Sequence, residues 1–139
     1  MRRRASIVFV AALLATAACG KKEEPPKPAL AFKVQSVDMG KSIGANKRVI
    51  KPAATFGPRD TMYVVVNSVG VSKSVTMVAT WKDARGTTIG EFAQAVAPNG
   101  PAATEFHLTH AKGWPVGKYS VLVTANGSAA GSKAFDVKR

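Results

Sequence analysis

The chain has 139 residues, with 20 Lys and Arg against 8 Asp and Glu, a formal charge of +12, 46% hydrophobic residues and one Cys. That length suits one small domain, and the hydrophobic fraction excludes a chain that is disordered throughout. A single cysteine excludes an intramolecular disulfide and any zinc site built from several cysteines.

In chain order, Met1 is followed by Arg2, Arg3 and Arg4, then by an apolar run of 12 residues from Ile7 to Ala18. Cations ahead of a short apolar stretch have the form of a signal peptide, whereas a permanent bilayer-spanning helix needs about 20 apolar residues. The run ends in Leu14-Ala15-Thr16-Ala17-Ala18-Cys19-Gly20, small residues leading into a cysteine. This resembles the lipobox of bacterial lipoproteins, with Thr16 standing where Leu is commonest. The resemblance implies that residues 1–18 are cleaved, that Cys19 is acylated, and that the protein is held to a membrane through those acyl chains. Two or three chains, each burying methylenes at about 0.8 kcal/mol apiece, make such an anchor effectively permanent. Gly20 stands where an Asp favours inner-membrane retention in enteric bacteria. By the same resemblance, the address is the outer membrane of a Gram-negative cell, facing the periplasm.

Gly20-Lys21-Lys22-Glu23-Glu24-Pro25-Pro26-Lys27-Pro28 has no apolar residue to bury, and its prolines favour extended polyproline geometry. Residues 19–29 therefore read as the lipidated Cys and a flexible tether, reaching some 30 Å at about 3.1 Å per residue.

Residues 30–139 carry 14 Lys and Arg against 6 Asp and Glu, a net +8, and their hydrophobic period is two. Met62, Val64 and Val66 alternate with Tyr63, Val65 and Asn67; Val75, Met77, Ala79 and Trp81 alternate with polar Thr76, Thr80 and Lys82; Tyr119, Val121 and Val123 alternate with Ser120, Leu122 and Thr124. About seven strands are predicted, at 31–38, 61–68, 74–82, 88–96, 103–109, 118–125 and 132–138. Residues 46–51 are expected to add a short edge piece within a long crossover loop. Turn signals separate the strands, among them Asp83-Ala84-Arg85-Gly86, Pro98-Asn99-Gly100-Pro101 and Asn126-Gly127. The fold class expected is all-β, a single sandwich of antiparallel strands. Trp81 late in its strand, and Tyr119 opening its strand after Pro115-Val116-Gly117-Lys118, resemble the buried Trp and the tyrosine corner of immunoglobulin-like and fibronectin-III-like domains.

Signals for catalysis are thin. His107 and His110 lie three apart around the end of a strand, which places them on opposite faces, and only Glu105 shares a face with His107. No Gly-x-Ser-x-Gly, His-Glu-x-x-His or Cys-x-x-Cys occurs, and Gly40-Lys41-Ser42 lacks the leading glycine of a phosphate loop. The six acids of the domain are scattered singly. We therefore expect no enzyme, cofactor or metal.

Two features suggest contacts instead. Lys41, Lys47, Arg48 and Lys51 put four cations in a Gly-rich loop with no acid among them, a local positive potential toward anionic envelope surfaces. Trp114, in Gly113-Trp114-Pro115, is an aromatic in a loop at one end of the sandwich. Nucleic acid is not an expected partner, because no aromatic residues interleave with these cations and the address is extracytoplasmic. The expected role is a membrane-anchored lipoprotein whose sandwich domain is a non-catalytic adaptor for an envelope protein or glycan. The alternatives are a structural component held electrostatically to anionic surfaces, and a cryptic hydrolase or metal-binding protein.

Overall fold

A computed structural model of the protein describes Gly20 and residues 30–139; the expected signal peptide, Cys19 and nearly all of the tether lie outside the described residues. Eight strands form: β1 (Lys33–Gly40), β2 (Thr55–Phe56), β3 (Met62–Val69), β4 (Val75–Asp83), β5 (Thr88–Val96), β6 (Ala102–Leu108), β7 (Gly117–Ala125) and β8 (Ser128–Val137). They make two sheets, β1-β3-β6 and β2-β8-β7-β4-β5. All neighbours are antiparallel except β2, which runs parallel to β8.

The alternation in the sequence becomes the two faces of each sheet. Val75, Met77, Ala79 and Trp81 of β4 are fully buried, and Tyr119, Val121 and Val123 of β7 join them. From the opposing sheet come Val37, Met39, Met62, Val64, Val66 and Phe106, closing one cluster. An aromatic side chain such as Trp81 removes 150–250 Å² from water, a stabilisation of about 4–6 kcal/mol at roughly 25 cal/mol per Å². Both sheets and the whole buried cluster come from residues 32–137, so this segment holds what it needs to fold.

Four details differ from the sequence reading. There are eight strands, because Thr55–Phe56 adds the edge piece beside β8, while 46–51 forms no strand. β1 runs two residues further along the chain than expected. β8 starts at Ser128, since Asn126 (φ 49°) and Gly127 (φ 81°) make a two-residue hairpin turn of the left-handed kind that suits twisted strands. Finally, β3 is buried on both faces: Val65 and Asn67 are covered as well as Val64 and Val66. β3 is the central strand of its sheet, and Asp38 and Glu105 flank Val65 from either side.

The strand directions give the sandwich two distinct ends. At the near end the chain comes in: Val71 N–H donates to Leu30 O at 2.8 Å, and Ala31 bridges to Val71. The loops 70–74, 97–101 and 126–127 also lie there. At the far end lie 41–54, 57–61, 84–87, 109–116 and the last two residues.

Candidate functional site

The far end is built first from the segment after β1. Gly40 ends that strand, and the chain folds back on itself: Lys41 N–H donates to Lys51 O at 3.0 Å, Ile50 N–H to Ser42 O at 3.0 Å and Gly44 N–H to Arg48 O at 2.9 Å. The expected loop is thus an irregular hairpin. At its tip Lys47 takes a positive φ of 59°, and the Asn46 side-chain carbonyl accepts from Arg48 N–H at 3.1 Å. A positive φ costs a non-glycine residue about 1–3 kcal/mol, which the bonds around it offset. Pro52 opposite Gly40, and Ala53 N–H donating to Met39 O at 3.0 Å, return the chain to β1.

The four cations of the sequence cluster are treated differently by this hairpin. Lys41 sits at its root, with Nζ 3.0 Å from Asp60 Oδ2. Lys47, Arg48 and Lys51 are exposed. The pairs of a Lys or Arg with a carboxylate among the described residues are Lys41–Asp60 and Lys118–Asp136, so those three cations have no acid partner there.

Asp60 belongs to the turn before β3. Its carboxylate accepts from Gly57 N–H at 2.7 Å, and this bond, followed by the one from Lys41, holds its pKa below the ordinary aspartate value. The same turn pins Trp114. Its backbone N–H donates to Pro58 O at 2.6 Å, and its indole Nε1 donates to Asp60 O at 3.1 Å. The side chain is 4% exposed, so Trp114 is a wall of the far end rather than a protruding contact. Rings flank it: the exposed His110 at 5.3 Å on one side, and Tyr119 at 6.1 Å on the other, with Phe135 stacked on Tyr119 at 5.6 Å. Tyr119 Oη donates to Pro115 O at 2.6 Å, the corner bond that the resemblance implies. Burial, with Asp83 adding to it, raises the Tyr119 pKa.

Between the β4–β5 turn and the 109–116 loop lies an open cleft of about 530 Å³, lined by Arg85, Ile89, His110, Trp114, Val116 and Lys118 among others. The turn is shaped by Asp83, whose Oδ1 accepts from Arg85 N–H at 2.9 Å and Thr87 N–H at 3.0 Å. The volume is within the range of small-ligand sites, and the lining carries Arg85 and Lys118 beside the carboxylate of Asp83.

Charge is distributed very unevenly over residues 30–139. The far-end hairpin holds Lys41, Lys47, Arg48 and Lys51; the neighbouring far-end loops and strand starts add Arg59, Arg85, Lys112 and Lys118; Lys138 and Arg139 follow β8. These ten cations face three acids, Asp60, Asp83 and Asp136, whereas the rest of the domain has four cations, Lys33, Lys73, Lys82 and Lys133, against Asp38, Glu91 and Glu105. The basic loop expected from the charge run is thus one part of a basic end. The signal was present in the chain, because consecutive antiparallel strands send alternate loops to the same end.

His107 and His110 do not converge. His107 Nδ1 lies 2.5 Å from Glu105 Oε1 on the outer face of β6, and His110 packs on Trp114. Among the described residues no group of three or more His, Cys, Asp or Glu side chains is placed to hold a metal ion.

No protein-family model and no curated protein matches the chain. Its shape is similar to several solved structures. An immunoglobulin-like protein from Pseudomonas aeruginosa superposes with a TM-score of 0.54 at 11% identity, over 81% of this chain and 100% of that one. The C-terminal domain of Wzt gives 0.54 at 10% identity, over 84% and 80%. The Pseudomonas fluorescens alkylpurine DNA glycosylase AlkC, bound to DNA containing an abasic site analogue, gives 0.54 at 12% identity over 80% of this chain, which spans only 32% of the glycosylase. At such identities the likeness is one of fold, and the fold is an immunoglobulin-like β-sandwich.

Proposed function

We propose that the protein is an extracytoplasmic lipoprotein whose immunoglobulin-like domain is a non-catalytic binding module for another component of the cell envelope. Acyl chains on Cys19 hold it in the outer membrane of a Gram-negative cell, facing the periplasm. The observation that carries this reading is the placement of the one cysteine of the chain directly after a 12-residue apolar run and the small residues Ala15 to Ala18. The layout of the domain supports it. Leu30 and Ala31 enter the sandwich at the near end, and the cations and an open cleft lie at the far end.

The test is fractionation of cells after metabolic labelling with tritiated palmitate, with membranes washed in high salt to remove anything held by charge alone. The parent chain takes the label and stays with the washed membranes, while Cys19→Ser takes none and is recovered in the soluble fraction. A parent chain without label, or a Cys19→Ser chain that resists the salt wash as the parent does, overturns the reading.

A further inference from the structure

We propose that the far end of the sandwich is a docking surface for an anionic lipid bilayer, which names the partner of the module proposed above. The first support is charge. Ten cations against three acids gather there, two of the cations being paired with Asp60 and Asp136 and the others having no acid partner among the described residues. They come from separate segments, each fixed by backbone hydrogen bonds, so the potential belongs to a preformed surface.

The second support is apolar. Six large hydrophobic side chains are exposed among the described residues, and two of them stand on far-end loops: Ile50 at 62% and Val116 at 56%. Ile50 immediately precedes Lys51 and lies two residues after Arg48; Val116 lies two residues before Lys118. An aliphatic side chain with cations next to it in the chain is what a bilayer surface selects, because the phosphates meet the cations while the aliphatic group enters the acyl boundary.

The third support discriminates between anionic partners. A single-stranded nucleic acid is held largely by aromatic faces open to stacking. Here the two large aromatic side chains lining the cleft are closed off, Trp114 at 4% and Tyr119 at 8% exposed, which leaves only the His110 ring open to solvent. Cations and aliphatic groups are therefore what the far end offers, and a lipid surface uses both. The strands, eight to ten residues long in the main, set the two ends roughly 30 Å apart at about 3.3 Å per residue. Where the anchored reading holds, this surface lies at the end of the domain opposite the one at which Leu30 enters it. Docking itself does not depend on Cys19.

The experiment is co-sedimentation of residues 20–139 with vesicles of phosphatidylcholine alone, or with about a third phosphatidylglycerol. Binding is expected only to the anionic vesicles, weakening steeply as salt rises. The triple variant Lys47→Ser, Arg48→Ser, Lys51→Ser loses on the order of a hundredfold in affinity, from about fivefold per cation. The double variant Ile50→Ser, Val116→Ser binds several-fold more weakly and keeps the salt dependence. Lys33→Ser with Lys73→Ser, away from the far end, binds as the parent does. Equal binding to both vesicles, or equal losses in the near-end and hairpin variants, overturns the proposal. So does tighter binding to soluble alginate that ignores Ile50 and Val116, which would make the partner a glycan. A failed palmitate label would remove the anchor and leave this result standing.

Discussion

The near and far ends of the sandwich are made by the same strands, yet they are built on different principles. Near-end loops are short and tied to one another: Gly100 N–H donates to Gly70 O at 3.0 Å, Ser72 N–H to Pro98 O at 3.0 Å, and the Asn126 side-chain carbonyl accepts from Thr76 N–H at 2.9 Å. Lys73 is their only cation. The far end holds the two longest segments, 41–54 and 109–116, carries cations in each of its segments, and is braced by a buried tryptophan and a tyrosine corner. The difference teaches where the domain spends its stability and where it spends its charge. One end closes around the incoming chain, and the other holds a charged surface rigidly in place.

The largest effect is expected where that bracing is removed. Trp114→Ala deletes an aromatic wall and the indole bond to Asp60 O, and should cost about 3–5 kcal/mol in denaturant unfolding. It should also loosen the 109–116 loop in hydrogen exchange while leaving 126–127 protected. The near end has its own weak point in Gly70, whose φ is +90° and where an added Cβ would meet the Ala31 carbonyl. Gly70→Ala should cost about 1–3 kcal/mol and free residues 30–32 to limited proteolysis, without changing far-end binding. Tyr119→Phe removes only the corner hydroxyl, and a loss of about 1 kcal/mol is expected in thermal melts.

Asp60→Asn sharpens the comparison through pH. The folded pKa of Asp60 is lowered, so its stabilisation is complete above the unfolded value near 3.8 and is lost as pH falls through the lower folded value. The Asn variant should be less stable at neutral pH by under about 1 kcal/mol, since the pair with Lys41 is solvent-accessible, and the gap should close in acid. The smallest effect on stability belongs to the hairpin cations. Lys47→Ser, Arg48→Ser, Lys51→Ser should melt nearly as the parent does, each surface change falling within about 0.5 kcal/mol, although it removes most vesicle binding. A large drop in its melting temperature would mean that these side chains hold the fold.

Much of the sandwich was legible because its strands obey one local rule. Alternating residues such as Val75, Met77, Ala79 and Trp81 declare a strand and its buried face together, and Tyr119 after Pro115 declares the corner. The short pieces were not legible. Thr55–Phe56 is a strand only because β8 lies beside it, and no pattern fits in two residues. Burial of Val65 and Asn67 was hidden for the same reason, since it depends on the neighbours β1 and β6. Of the candidate contacts, the hairpin cations could be found as a charge run. The acid that pairs with Lys41 lies nineteen residues along the chain, and the bonds that bury Trp114 lead to a turn more than fifty residues before it. Far-end basicity needed only the alternation of loops between ends, a step available once consecutive strands are taken as antiparallel.

The most direct test of a two-ended domain is amide hydrogen exchange of residues 20–139 with and without anionic vesicles, read segment by segment. Docking through the far end predicts added protection at 41–51, 84–87 and 109–116, with 70–74, 97–101 and 126–127 unchanged. Protection centred on those near-end loops, or spread evenly over both ends, would contradict the account.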